Sequence, residues 1–363
     1  MQGGLSAIKA AELLVSRRML GAESRPLQPA LVGERMSLGV DRVMSEGGLY
    51  DPAAAAVALV QAEGDLHEAS FIVRAYRSTL PRVAYSTPTN TSEMRVLRRI
   101  TPAFQSAPGG QLLGATRDYT QRLLDWRLAE GGASDDGSHP SNPQSETADR
   151  PTFTRIADIL REEGLLPMPV ESADEPDDIT RTPIVFPASR SAKLQTLARA
   201  ETGSLTAFGY ASMRGYGTFA HGTVAELRVG MVPIRITHPY TGQPVTFGEA
   251  RVTECEEFTI SPHRSMSAEN TEQFALGYGL VFGQNERKAI AMAMLDRQLA
   301  EGGSAMASQE EFILMHVDGV EATGFVEHLK LPHYVEFQSI VQGMRRRRDR
   351  DAAAEAGKEP SLV

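Results

Sequence analysis

The sequence is short of cysteine, of net positive charge and of long apolar runs, and each shortage closes off a class of protein. One cysteine, Cys255, in 363 residues excludes an internal disulfide and any cysteine-rich zinc or iron–sulfur centre built by this chain alone. A reducing, cytoplasmic setting is the natural expectation. A formal net charge of −9 argues against a general nucleic-acid or anionic-membrane binder. No apolar run approaches the roughly 20 residues of a membrane span. Lys9 and Glu12 interrupt the N-terminal stretch "MQGGLSAIKAAELLVSRRML", so it reads as an amphipathic helix and not as a signal core. No internal repeat is evident. The composition that remains is globular, 41% hydrophobic, in a chain long enough for one large domain or two ordinary ones.

The patterning predicts an α+β protein: a helical N-terminal part, then a mixed region with a largely antiparallel sheet. "MSLGVDRVMSEGG" ends at Gly47-Gly48, a helix stop. "DPAAAAVALVQAEGD" starts with Asp51 as N-cap and Pro52 at the first helical position. "LHEASFIVRAYRSTLPR" continues the helical hairpin pattern, with Arg74 and Arg77 on it. Residues 1–129 form this helical region, and the polar Gly/Ser/Asp/Pro stretch 130–150 reads as a flexible insertion. Residues 151–342 form the mixed region. There "SLTAFGYASM", "TVAELRVGMVPIRITHP", "GEARVTECEEFTI", "GYGLVFG" and "EEFILMHV" read as strands, and "NERKAIAMAMLDRQLA" as a helix. Residues 343–363 are charged and apolar-poor, which predicts a disordered tail.

Several stretches could carry chemistry. "TECEEF" puts Glu254 and Glu256 on one strand face and Cys255 on the other. Paired carboxylates can stabilise a cationic transition state or act as acid and base; such a face is more often simply solvated, and Cys255 is then core. "DDITRTPIVFPASRSAKLQ" mixes Arg181, Arg190 and Lys193 with Thr180, Thr182, Ser189 and Ser191, a combination suited to polyphosphate oxygens. An exposed loop with a serine helix cap explains it equally well. "MRGYGTFAHG" sets Arg214, Tyr216 and His221 among glycines, as a ligand loop or a tight hairpin would. "GYGLVFGQNERKA" runs from a strand through Gly277, Gly279 and Gly283 to a helix start with Arg287 and Lys288. That order can present backbone N–H groups to a phosphate, but it is neither a Walker loop nor a dinucleotide fingerprint, and a plain glycine-rich connection is the commoner account. The Arg345–Arg348 run lies beside Asp349 and Asp351 and reads as solvated.

"EHLKLPHYVEF" holds His328 and His333. At about 100° per residue, a five-residue offset places helical side chains roughly 140° apart, and in a strand an odd offset separates them across the sheet. Pro332 lacks an N–H and biases Leu331 away from helical angles. Only an irregular turn at Leu331-Pro332 would let the two imidazoles share an ion. Two ligands leave zinc short of its usual four, so any metal must take others from elsewhere.

Read in order, "VDRVMSEGG", "PGGQLLG", "DYTQRLLDW", "DDITRTP", "FPASRS", "RGYG", "TECE", "LGYGLVFGQNERKAIAMA" and "HLKLPHYVEFQ" resemble the I subunit of the bacterial carbon–phosphorus lyase core complex. The resemblance runs from near the N-terminus to about residue 342 and skips the insertion. Phe186 stands where the family often has tyrosine, Ala188 where cysteine can occur, and Leu276 where an arginine precedes the Gly-Tyr-Gly; the last removes one cation from the glycine-rich loop.

The resemblance implies a transferase acting at C1′ of ATP. Adenine is replaced by an alkylphosphonate to give α-D-ribose 1-methylphosphonate 5-triphosphate, and the subunit alone acts as a purine nucleosidase. It implies that His328 and His333 hold zinc facing the radical-SAM J subunit, which would cleave the carbon–phosphorus bond. G, H and ATP-binding-cassette subunits, two copies of this chain, and magnesium accompanying ATP are implied as well. Cleavage of a glycosidic bond builds oxocarbenium character at C1′, which favours a nearby carboxylate, and a triphosphate needs several cations. Glu254 and Glu256 fit the first demand; Arg181, Arg190, Lys193, Arg287 and Lys288 could supply the cations, with Ser189, Arg214 and Tyr216 as further substrate or phosphate contacts. The competing expectation is a scaffold that positions the radical enzyme. A nucleic-acid binder acting through the arginine run ranks last.

Overall fold

In the computed structural model, residues 4–21, 25–129, 153–170, 174–217, 222–266 and 272–356 are described. They divide into two compact units, Met1–Val320 and Glu321–Val363. The insertion 130–150, His221 and residues 357–363 lie outside the described residues.

The first unit opens with helix α1 (Leu5–Leu20), which buries no residue. Helices α2 (Pro29–Arg35), α3 (Ser37–Gly47), α4 (Pro52–Gln61) and α5 (Leu66–Thr79) share one apolar core. On α3 the buried stripe is Val40, Val43, Met44 and Gly47, the i, i+3, i+4, i+7 face of a helix. A Cβ at Gly47 would lie 2.4 Å from a methyl of Val73, so glycine lets α3 approach α5 closely. Gly48 then ends α3 in the left-handed region, φ 67°. Asp51 caps α4 by accepting from Ala54 N at 2.9 Å, and Asp65 caps α5 by accepting from His67 N at 2.9 Å.

Strands β1 (Arg95–Ile100), β2 (Thr223–Thr237), β3 (Pro244–Met266) and β4 (Glu272–Phe282) form an antiparallel sheet in sequential order, with β1 and β4 at its edges. Helix α6 (Ile156–Glu162) contributes Ile156, Ala157 and Leu160 to an apolar cluster with Ala225 and Phe258. The opposite face packs Leu227, Cys255 and Val281 against α7 (Arg190–Arg199), α8 (Thr202–Ala211) and α9 (Glu286–Glu301). Helices α10 (Glu310–His316), α11 (Gly319–Glu327) and α12 (Tyr334–Ala356) complete the chain. Among the described residues, no helix is long and apolar enough to cross a membrane.

The fold is therefore α+β as expected, with three local corrections. "SLTAFGYASM" lies mostly in helix α8, not in a strand. Glu201 accepts from Gly203 N and Ser204 N at 2.6 Å each, and Leu205 and Gly209 are buried one turn apart. "EEFILMHV" is helix α10, with Ile313, Leu314 and Val317 buried at helical spacing. Short apolar runs carry both periods, and packing on a neighbouring layer decides between them. Residues 343–356 continue α12 instead of being disordered; their alanines, arginines and glutamate are good helix formers even without burial.

Candidate functional site

Strand alternation places Glu226 and Arg228 of β2, Glu254 and Glu256 of β3, and Tyr278 of β4 on the sheet face that α6 covers. The register sets Arg228 opposite Glu254 and Tyr278 opposite Glu256. Arg228 Nε donates to Glu254 Oε2 at 3.0 Å, and Thr91 Oγ1 and the Tyr278 phenol donate to Glu254 Oε1 at 2.7 and 2.9 Å. Arg155, the N-cap residue just before α6, reaches down between the carboxylates. It donates to Glu254 Oε1 at 3.4 Å and pairs closely with Glu256 Oε1. Glu226 receives Arg99 and the backbone N–H of Ile156, fixing the start of α6 over the face.

The face is buried, not solvated. Glu254 and Glu256 are 2% and 3% exposed, and the cluster reaches the surface through Arg155 and Tyr278. The two carboxylates are driven apart in acidity. Burial pushes Glu256 up to about 7, assisted by the neighbouring Glu254 charge and opposed by Arg155. Burial would also raise Glu254, but Arg228 and then Arg155 outweigh it and hold that carboxyl below its ordinary range. One carboxyl is thus poised to carry a proton near neutrality while its neighbour stays ionised, which is how a single site assigns acid and anion roles. Among the described residues, Glu256 Oε2 and Arg155 Nε have no hydrogen-bond partner.

Edge strand β4 links this face to the arginine–serine loop. The Tyr278 backbone N–H donates to Asp296 Oδ2 at 2.9 Å, and Arg190 clasps the same carboxylate through two bonds of 2.9 and 2.8 Å. Arg190 remains 57% exposed, so its guanidinium is held at the sheet edge, one residue from the phenol that touches Glu254. Lys193 pairs with Glu310 Oε2 at 2.5 Å. Ser189 caps α7 by accepting from Ala192 N at 3.1 Å and pairs closely with Asp177. Arg181 is exposed. Arg214 lies over the Tyr210 ring at 5.7 Å, and Tyr216 follows in a π-helical turn with Gly215 at φ 103°. Among the described residues, no hydrogen bond or ion pair joins Arg181, Arg214, Tyr216 or Arg287 to the carboxylates.

The glycine-rich loop is not a phosphate cradle. Gly283 N donates to Arg251 O at 2.7 Å, Gln284 N to Asp41 Oδ2 at 2.9 Å, and Asn285 N to Thr253 Oγ1 at 3.0 Å. Its glycines serve packing: a Cβ at Gly277 or Gly279 would lie 2.0 Å from Ala293 O or 2.1 Å from Ala289 O, so they let β4 lie against α9. Lys288 needs correction as a phosphate ligand. It is fully buried, donates to Ser45 Oγ at 2.8 Å, and burial pushes it down to about 7. Arg287 alone of that pair faces solvent.

In the second unit, His328 starts a 3₁₀ turn that ends at Leu331, whose extended backbone (φ −77°, ψ 162°) precedes Pro332. The imidazoles come together with ring centroids 5.3 Å apart. His328 Nδ1 donates to Phe325 O, and His333 Nδ1 to Leu331 O at 2.7 Å. Since a carbonyl only accepts, both neutral rings are held in the tautomer that leaves Nε2 free to ligate. The pair fits a metal as two of its ligands; among the described residues no third His, Cys, Asp or Glu joins them.

Sequence reasoning found the carboxylates and histidines but missed Thr91, Arg155, Arg228, Tyr278 and Asp296. Alternation on a paired β2 could have supplied Arg228. Nothing local marks Arg155, which arrives from the far side of the insertion.

Comparison with known proteins follows the same outline. Residues 1–351 match the family model described as bacterial phosphonate metabolism protein (PhnI). A protein of Stutzerimonas stutzeri named putative C-P lyase subunit protein HtxH is 46% identical over 362 residues, 97% of this chain and 96% of its own length. Two proteins named alpha-D-ribose 1-methylphosphonate 5-triphosphate synthase subunit PhnI are each 44% identical. That of Rhizobium meliloti (strain 1021) aligns over 99% of this chain and 97% of its own, and that of Escherichia coli (strain K12) over 95% and 97%.

Proposed function

This chain belongs to the PhnI family of bacterial phosphonate metabolism proteins, and from that premise we propose that it is a catalytic subunit of a ribose 1-methylphosphonate 5-triphosphate synthase within a carbon–phosphorus lyase complex. Its reaction exchanges adenine for an alkylphosphonate at C1′ of ATP, and the isolated chain hydrolyses the same bond.

The observation that carries this reading is the pair Glu254 and Glu256, driven apart in acidity on one sheet face and tied through Tyr278 to Asp296 and Arg190. As the C1′–N9 bond breaks, its electron pair leaves with the purine, and protonated Glu256 supplies the proton that makes neutral adenine. Ionised Glu254 stabilises positive charge at C1′. A phosphonate oxygen then bonds to C1′; without phosphonate, water does so and loses a proton to Glu256. Substrate approach requires Arg155 to leave Glu256, since both carboxylates are buried beneath it. Exposed Arg190 meets phosphate oxygens at the β4 edge, with Arg181, Ser189, Lys193, Arg214, Tyr216 and Arg287 as further candidates and magnesium accompanying ATP.

His328 and His333 would hold zinc through Nε2, with its remaining ligands from solvent or the radical-SAM J subunit. Bound there, zinc supplies a fixed positive charge that joins the two surfaces. G, H and ATP-binding-cassette subunits and a second copy of this chain complete the cytoplasmic assembly.

The burial of both carboxylates favours one alternative, a scaffold whose Glu254 and Glu256 only hold α6 to the sheet. Adenine release from ATP and magnesium by the purified chain separates the two readings, with nucleotide binding measured in parallel. Release abolished by E254Q and E256Q supports catalysis. A folded, nucleotide-binding chain that releases none, alone or with its partners and methylphosphonate, supports the scaffold.

A further inference from the structure

A second charged group lies where α5, the C-terminus of α7 and the Asp178 loop converge. Arg74 pairs bidentately with Asp318 at 2.7 and 3.0 Å, and its Nη2 also reaches Arg199 O at 3.1 Å. Arg199 Nε approaches the same Asp318 at 4.0 Å. Arg82 is held by Asp178, by Thr180 Oγ1 at 3.0 Å and over the Tyr85 ring at 4.8 Å. Arg77 stands among these three. Its guanidinium sits against Gly48, whose hypothetical Cβ would lie 2.6 Å from Arg77 Nη1 and 3.8 Å from Arg199 Cδ. The hydrogen bond it makes there, to Gly48 O, is long at 3.4 Å. Arg77 thus stands beside three other guanidiniums with no carboxylate within ion-pair distance of its own among the described residues. The nearby Glu46 and Glu201 are already engaged by Arg42. Burial and then Arg199, Arg74 and Arg82 pull Arg77 below its ordinary range. Asp178 pulls the other way but does not outweigh them, so the net surroundings work against holding the charge there without a further anion.

Clustered like charges on a half-buried helix face cost stability, and the ligand that repays them is one with several oxyanions for planar forks to grip. We propose that Arg77, with Arg82 and Arg199, forms a binding site for a phosphoryl oxyanion, reached from solvent beside the Asp178 loop. This site needs no role for Glu254 or Glu256, so either reading can fail alone. Two sources offer the same chemistry: the triphosphate tail of the nucleotide, or a free phosphate or polyphosphate.

The test titrates the full chain with inorganic phosphate, tripolyphosphate and ATP at low salt, as wild type, R77Q and R77K. R77Q is expected to weaken tripolyphosphate binding at least tenfold, with R77K between. Because Arg77 is repelled where it sits, R77Q should leave the ligand-free melting temperature equal or higher while shrinking the ligand-induced rise. A merely structural arginine would lower it. A parallel rise in the KM for ATP assigns the oxyanion to the substrate tail; an unchanged KM with weakened phosphate or tripolyphosphate binding assigns a separate site. The proposal is overturned if wild type binds none of the three, or if R77Q binds all three as tightly as wild type. Should R77Q not fold, R77K binding at wild-type strength overturns it equally.

Discussion

Replacing Glu256 by glutamine should make the protein more stable and less active. Glutamine keeps an acceptor for Arg155 but cannot ionise. Glu256 is pushed from an ordinary 4.5 to about 7 in the fold. Between those values the folded chain holds a proton that the unfolded chain has released, so stability falls as pH rises through the window. The full difference is about 3 kcal/mol. Wild type and E256Q should be close in stability at pH 4.5 and diverge above it, with E256Q ahead by up to about 3 kcal/mol at pH 8. Urea denaturation at a series of pH values reads the gap, with an unchanged slope showing that the unfolded states match. Lys288, which burial also displaces strongly, cannot mimic this effect. Its value lies below the ordinary 10.5, at about 7, so it acts above pH 7 with the opposite sign. Adenine release by E256Q should fall roughly 10²- to 10⁴-fold, the usual worth of a general acid. Parallel stability curves for the two proteins would refute the argument, since they would mean Glu256 titrates as in the unfolded chain.

G279A should destabilise the first unit by about 3 kcal/mol, because its methyl would meet Ala289 O at 2.1 Å; an unchanged urea midpoint would show that α9 gives way freely. K288M should remove the rise in stability that wild type shows between pH 7 and 10.5, where unfolded lysine holds a proton the folded one has lost, and should leave nucleotide binding untouched. D296N should raise the KM for ATP more than it lowers kcat, since Arg190 would lose the carboxylate that holds it at the β4 edge; equal effects on both would argue against a binding role. H328A and H333A should each lower the zinc content of the purified complex without shifting the melting of the Met1–Val320 unit. Full zinc retention would move the metal elsewhere.

Local spacing determined a good deal by itself. The cap at Asp51, the stop at Gly47-Gly48, the shared face of Glu254 and Glu256, the burial of Cys255 and the turn at Pro332 all follow from residues a few positions apart. The period of the chain and the chemistry of single side chains suffice for these. Where a short apolar run fits both periods, as in α8 and α10, spacing could not choose, and packing against the neighbouring layer did. The tertiary structure alone decided which charges meet. β2–β3 register brings Arg228 to Glu254, α6 lowers Arg155 between the carboxylates, and Asp296 carries Arg190 to the sheet edge. It also turned a glycine loop that resembles a phosphate cradle into a seam for α9, and drew Lys288 inside. Burial and partnership, which set a carboxyl near 7 or silence a lysine, are properties of residues brought together from distant parts of the chain.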